Sequence, residues 1–249
     1  MDSPTAAAWT KALLLLIVTL VAQAQPDQQF SYSFPQNWGG DCRYGNSQSP
    51  INIPRATSLV DTSLPVSPIT NYTRNGGKLY NNGYGPEIVP QRPGGFGTLK
   101  IDGKVYNVIN VHFHQPAEHT INVFIRYALE MHIEHKSANG DIAMLAVFFT
   151  QGSNPSSFLE QFLDLLPEIS ESGATPIAVN LKLDRPVGKY ARYTGSLSTP
   201  PCTEGVKWIV MLDPITMTRN QLDRYRASFP KPSARFLKPI NGRVIRLSP

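Results

Sequence analysis

Three β-patterned stretches follow closely on one another, Val105 to Phe113, Arg126 to His135 and Ile142 to Thr150. The last contains Ile142-Ala143-Met144-Leu145-Ala146-Val147-Phe148-Phe149, almost continuously apolar, and reads as a strand buried on both faces. Residues 25–100 are rich in Pro, Gly and Asn with short apolar runs between them, which predicts brief strands and turns rather than long helices. The one good helical pattern is Ser156 to Leu166: a serine at the start, Glu160 in the first turns, and Phe158, Leu159, Phe162, Leu165 and Leu166 at helical spacing. No Ser/Gly-rich linker, charge run or internal repeat divides residues 25–249, so a single, mainly β domain with a substantial core is expected.

The beginning of the chain has a different composition. A polar stretch with one cation, Lys11, leads into the apolar run Ala12 to Val21 and the small-residue site Ala22-Gln23-Ala24. That is the layout of a signal peptide, cut after Ala24. The run falls short of the roughly 20 residues that span a bilayer, so no membrane anchor is expected in the mature chain. Secretion into an oxidising compartment follows, and there Cys42 and Cys202, the only cysteines, serve best as one disulfide rather than as two buried thiols. Asn71-Tyr72-Thr73 is a glycosylation sequon, whereas Asn154-Pro155-Ser156 is disqualified by its proline. The net charge of +5 is spread along the chain without a basic stripe, which argues against a nucleic-acid partner. No feature names an oligomeric partner.

All five histidines lie between His112 and His135. Two of them, His112 and His114, are two apart on a strand and project from the same face, about 7 Å apart along it. The later stretch alternates, with Leu129, Met131 and Ile133 on one face and Glu130, His132 and Glu134 on the other. If the two strands pair, His132 supplies a third imidazole. Three neutral imidazoles with a fourth position open to water is the ligand set of a catalytic zinc site, where zinc lowers the pKa of water to about 7. The chemistry expected is attack of hydroxide on an electrophilic carbon.

Several ordered blocks now give the chain a resemblance to the α-carbonic anhydrases. They are Gln48-Ser49-Pro50-Ile51-Asn52-Ile53, His112-Phe113-His114 with Glu118-His119-Thr120, Leu129-Glu130-Met131-His132, and Tyr193 to Cys202, followed by Trp208-Ile209-Val210 and Lys238 to Arg243. The resemblance implies one domain built on a large, twisted, mostly antiparallel sheet with short peripheral helices. It also implies a Zn2+ enzyme that hydrates carbon dioxide reversibly to bicarbonate and a proton, and a Cys42–Cys202 bridge. By position it makes His112, His114 and His132 the zinc ligands, with Glu130 orienting His132 and Asn110 supporting His112 where the family usually has glutamine. Asn110 is one methylene shorter, so weaker or water-mediated support is expected. Ser198 stands for a threonine that accepts a hydrogen bond from the zinc-bound hydroxide and donates one to Glu118. Thr199 is its neighbour in the site, and His119 and Tyr193 belong to the buried network behind it.

Other positions depart from the family pattern. Tyr84 occupies the place of a proton-shuttling histidine, and a group titrating near 10 exchanges protons poorly at neutral pH. Leu197, Val206 and Trp208 conform to the family's aliphatic carbon dioxide pocket, but Met144 adds bulk and Glu134 stands where valine is usual. A carboxylate there either holds water in the pocket or, if the strand twists or bulges, reaches solvent. Asn122-Val123-Phe124-Ile125-Arg126 is one residue longer than the family turn and makes the bulge credible. The alternative to a working enzyme is a carbonic anhydrase-like zinc-binding storage or matrix protein with little turnover. A different zinc hydrolase is disfavoured because the sequence has no His-Glu-x-x-His motif.

Overall fold

A computed structural model describes residues 30–249; the leader and its cleavage site at Ala24 lie outside the described residues. The expected mainly β architecture is present. The strands join into a large mixed sheet with a run order that passes from Ile177–Leu181 at one end, through Lys104–His114, Leu129–Ser137 and Ile142–Gln151 near the middle, to Leu59–Val60 at the other. Its central pairings, Lys104–His114 with Leu129–Ser137 and the latter with Ile142–Gln151, are antiparallel, while Ile142–Gln151 runs parallel to Glu204–Met211.

The sheet separates two apolar layers. On one side Val111, Phe113, Leu129, Met131, Ile133, Leu145, Val147 and Phe149 pack with Phe158, Phe162 and Leu166. On the other, Met144, Ala146 and Phe148 pack with Val206, Trp208 and Val210. Alternate residues of Ile142–Gln151 therefore enter different cores, which is why its sequence is apolar without a period. The functional histidines emerge on the second side.

How they reach that side depends on a β-bulge. Val108 pairs with His135, yet the next pairing is Asn110 with Glu134, so Ile109 is the extra residue on its strand. An extra residue inverts the alternation. Tyr106 and Val108 point into the first core, whereas Asn110, His112 and His114 point away from it. Of the two alternatives for Glu134, a bulge in its own strand does not occur: Leu129–Ser137 keeps one register with Ile142–Gln151 from Leu129 opposite Phe149 to Lys136 opposite Ile142. In the turn before that strand, Asn122 and Val123 adopt left-handed φ of 52° and 68°. The His132 strand accordingly begins at Leu129, later than the expected Arg126.

The helical expectation is corrected in part. Ser156 does cap a helix by accepting from the Leu159 N–H, but the α-helix is the single turn Ser157–Glu160, followed by a 3₁₀ segment, Leu163–Ile169. The break falls at Phe162, whose φ of -144° is outside the α region, and Pro167, which lacks an N–H, lies in the segment that follows. The longest helix among the described residues is Arg219–Ser228, opened by a capping box between Thr218 and Gln221. Gln221 also ties the two helical pieces together, accepting from Ser156 N and donating to Ser156 O and Glu160.

Cys42 and Cys202 form a disulfide across a separation of 160 residues. It packs with Trp38. Arg235, buried, donates to the Cys42 carbonyl and to Gln48, and Gln48 donates to the Cys202 carbonyl, so the bridge anchors the loop that carries Ser198 and Thr199. A closure of this length is worth about 5 kcal/mol in the chain-entropy model, with about 2–4 kcal/mol typical of measured bridges. Reduction is therefore expected to lower the melting temperature by roughly 5–15 °C in a domain of this size, measured by calorimetry with and without reductant. An unchanged melting point would show that the loop needs no covalent tie.

Candidate metal centre

The pairing register sets His112 directly opposite His132, with His114 opposite Glu130. The ring centres lie 5.1 Å apart for His112 and His114, 5.2 Å for His112 and His132, and 4.5 Å for His114 and His132. One ring nitrogen from each lies within 4.8 Å of the others. The conditional third imidazole of the sequence is thus brought to the first two.

Each ring has one nitrogen held from behind. His112 Nδ1 is 2.8 Å from Asn110 Oδ1, His114 Nδ1 is 2.7 Å from the Ser233 carbonyl, and His132 Nε2 is 2.7 Å from Glu130 Oε1. All three partners are acceptors, so the protons sit on the held nitrogens and the lone pairs on the others. His114 Nε2 and His132 Nδ1 are buried without a hydrogen-bond partner. Orphaned imidazole lone pairs that converge in this way fit a zinc ion, which takes neutral histidines backed by acceptors. The electrostatics favour the neutral rings. Burial, and then the neighbouring His114 and His132, push the His112 imidazole well below its ordinary value. Burial pushes His132 down too, against the pull of Glu130.

Glu130 is itself fixed on every side. Its Oε1 accepts from His132 and His119, and its Oε2 from the Glu118 and His119 backbone N–H groups. Burial alone would raise its pKa, but the two facing imidazoles and their hydrogen bonds hold it well below the usual carboxylate range. His119 Nε2 meets Tyr193 Oη at 2.7 Å, and Tyr193 Oη meets Ser49 Oγ at 2.8 Å, which is the buried network expected of His119 and Tyr193.

Some of the other candidates depart from expectation and some do not. Asn110 supports His112 directly, at 2.8 Å, rather than through water. The expected Ser198–Glu118 hydrogen bond is not formed. Ser198 is buried in the turn after Tyr190–Ser196, while Glu118 gives its Oε1 to the Arg235 N–H at 2.8 Å and leaves Oε2 buried without a partner. Leu197, Val206, Trp208 and Met144 share one apolar cluster, and the Trp208 ring lies 5.0 Å from that of His132. Thr199 is half-buried beside Ser198, its carbonyl accepting from the Cys202 N–H. Glu134 is half-buried on the metal side, opposite Met144, and accepts from Asn110 Nδ2 at 2.8 Å. Tyr84 stacks on Phe30 with ring centres 4.4 Å apart and gives its hydroxyl proton to the Phe30 carbonyl. Burial raises its pKa further. Asn71 is exposed on the strand Ile69–Tyr72.

Ser233 and Arg235 escaped the sequence reading. Ser233 acts through its carbonyl, which every residue has; Arg235, a charge in the interior, is recognisable only once its partners surround it. Among the described residues no helix is long and apolar enough to cross a membrane.

Three convergent imidazoles on a sheet wall, each backed by an acceptor and open on the other side, define a centre able to hold one metal ion with a position left for a small reactant. The family model for eukaryotic-type carbonic anhydrases matches residues 33–249, and the chain belongs to that family of enzymes, which act on carbon dioxide and bicarbonate. A carbonic anhydrase of Klebsiella pneumoniae is 35% identical over 223 residues, covering 85% of this chain and 86% of that protein. The solved α-carbonic anhydrase from Thermovibrio ammonificans, in complex with the inhibitor sulfanilamide, superposes with a TM-score of 0.74 at 34% identity, over 83% of this chain and 89% of that one. Dioscorin complexed with ascorbate superposes at 0.77 with 29% identity, over 86% and 92%.

Proposed function

We propose that the chain hydrates carbon dioxide reversibly at a zinc ion held by His112, His114 and His132. The observation that carries this reading is the pair of buried, partnerless ring atoms, His114 Nε2 and His132 Nδ1, converging with His112. Both cysteines are committed to the disulfide and close no fourth position. Bound there, zinc supplies a Lewis-acidic centre that lowers the pKa of water to about 7.

The remaining steps fall to the chain's own residues. Ser198 would accept a hydrogen bond from the nucleophile and donate its own to Glu118 Oε2, a contact not made in this structure, so that a lone pair is aimed at the substrate carbon. Leu197, Val206, Trp208 and Met144 form the apolar wall against which carbon dioxide rests, and Thr199 contacts the bicarbonate beside Ser198. Glu118 stays oriented because its other oxygen accepts the Arg235 N–H. Residues 25–249 form the mature domain, exported by the leader 1–24; the disulfide suits an oxidising compartment, and exposed Asn71 suits a glycan.

Stopped-flow hydration of carbon dioxide by the zinc-loaded protein tests the proposal. Hydration above the buffer rate, abolished by chelation, is expected. A zinc-loaded protein without hydration would instead be the storage or matrix protein.

Proton export is the weak step, because burial raises the Tyr84 pKa further and its hydroxyl is engaged in a hydrogen bond to the Phe30 carbonyl. Tyr84→His is expected to raise turnover roughly 10-fold in weak buffer and little in concentrated imidazole, which replaces an absent shuttle. No gain at any buffer concentration would place the limiting step at the metal centre instead.

A further inference from the structure

The second partner of Asn110, which accepts from its Nδ2, gives Glu134 a role beyond the pocket. Asn110 is held at both ends: its Oδ1 faces His112 Nδ1 at 2.8 Å, and its Nδ2 donates to Glu134 Oε2 at 2.8 Å. The bulge at Ile109 makes this possible by placing Asn110 opposite Glu134. We propose that Glu134 is a positioning residue that fixes His112 for metal binding through the side chain of Asn110, an inference that rests on the zinc site proposed above.

The three ligands differ in how firmly they are backed. His114 leans on a backbone carbonyl, and His132 on a carboxylate held by three further donors, the Glu118 and His119 backbone N–H groups and the His119 ring. Neither support can present the wrong atom. Asn110 can, since its amide has a donor end and an acceptor end of nearly equal size. Turned over, it would offer Nδ2 to His112 Nδ1, and the imidazole proton would move to Nε2, the atom that must offer its lone pair to the ion. A carboxylate only accepts, so Glu134 takes the Nδ2 end and leaves Oδ1 for His112. A valine at this position could not select between the two orientations. The short asparagine and the carboxylate thus act as one unit in place of a longer amide.

The test is the dissociation constant for zinc, measured by competition with a chromophoric chelator at fixed pH, for wild type, Glu134→Val, Glu134→Gln, Asn110→Ala and the Asn110→Ala/Glu134→Val double variant. Loss of a partner behind a metal-bound histidine typically weakens binding about 10–100-fold, and that is the effect expected of Glu134→Val and of Asn110→Ala. Glutamine fills the same space but can offer Asn110 either end of its amide, so Glu134→Gln should fall between wild type and Glu134→Val, and circular dichroism of each variant should show that the valine effect is not a folding defect. If Glu134 acts through Asn110, the double variant binds zinc as Asn110→Ala alone does. Unchanged affinity in Glu134→Val would overturn the inference, as would a full further loss on adding Glu134→Val to Asn110→Ala. A wild-type protein that takes up no zinc would instead overturn the metal site itself.

Discussion

Replacing His114 by alanine is expected to remove zinc and carbon dioxide hydration together while leaving the protein folded. The ring contributes one of three lone pairs, and its Nε2 has no other partner. Three-point binding then becomes two-point binding. If a structural zinc site is worth roughly 10–16 kcal/mol, a third of it corresponds to roughly 10²–10⁴-fold in affinity, enough to empty the site at ordinary zinc concentrations. The fold has other support, because the sheet and both cores are assembled from apolar residues on either side of the centre. His135 is the internal control. It is buried three positions beyond His132, on the opposite side of the strand, and meets Tyr72 Oη at 3.0 Å. His135→Ala should lower the melting temperature and leave one zinc in place. A His114→Ala protein with full zinc and activity would remove this residue from the site.

Ser198→Ala should separate chemistry from metal binding. No ring of the centre depends on the serine hydroxyl, so zinc content should be that of the wild type. What is lost, on the proposed mechanism, is the hydrogen bond that Ser198 would donate to Glu118 Oε2, an atom that is buried without a partner in this structure. Misorientation of a reacting group costs about 10²-fold, and a fall of that size in kcat, with zinc unchanged, is the expected result of stopped-flow assays on metal-analysed samples. Ser198→Thr keeps the hydroxyl, restricts its rotamer and should retain the activity. If Ser198→Ala turns over at the wild-type rate, Glu118 and Ser198 have no part in orienting the nucleophile.

Much of this site could be read before any coordinates, for identifiable physical reasons. His112 and His114 needed only the two-residue period of a strand, and His132 only the alternation of its own stretch and a pairing partner. The absence of a period in Ile142–Phe149 reported a strand between two cores. The bulge at Ile109 could not be read, since Val105–Phe113 alternates plausibly in either phase and only the partner strand shows where the phase changes. The Glu134 alternatives had the same origin: the longer turn was visible, but only the pairing with Ile142–Gln151 shows that the strand keeps one register, and the turn has left-handed φ at Asn122 and Val123, the latter a β-branched residue that rarely adopts it. The helix Arg219–Ser228 carried a legible capping box but only a thin apolar face, Leu222 and Tyr225, so its strongest signal was at its end.

The most direct test of the central claim is a zinc titration of the metal-free protein, with carbon dioxide hydration recorded after each addition. One centre built from His112, His114 and His132 predicts a rate that rises linearly and breaks at one equivalent of zinc per chain. Hydration by the metal-free protein, or zinc uptake to one equivalent with no rise in rate, would contradict it.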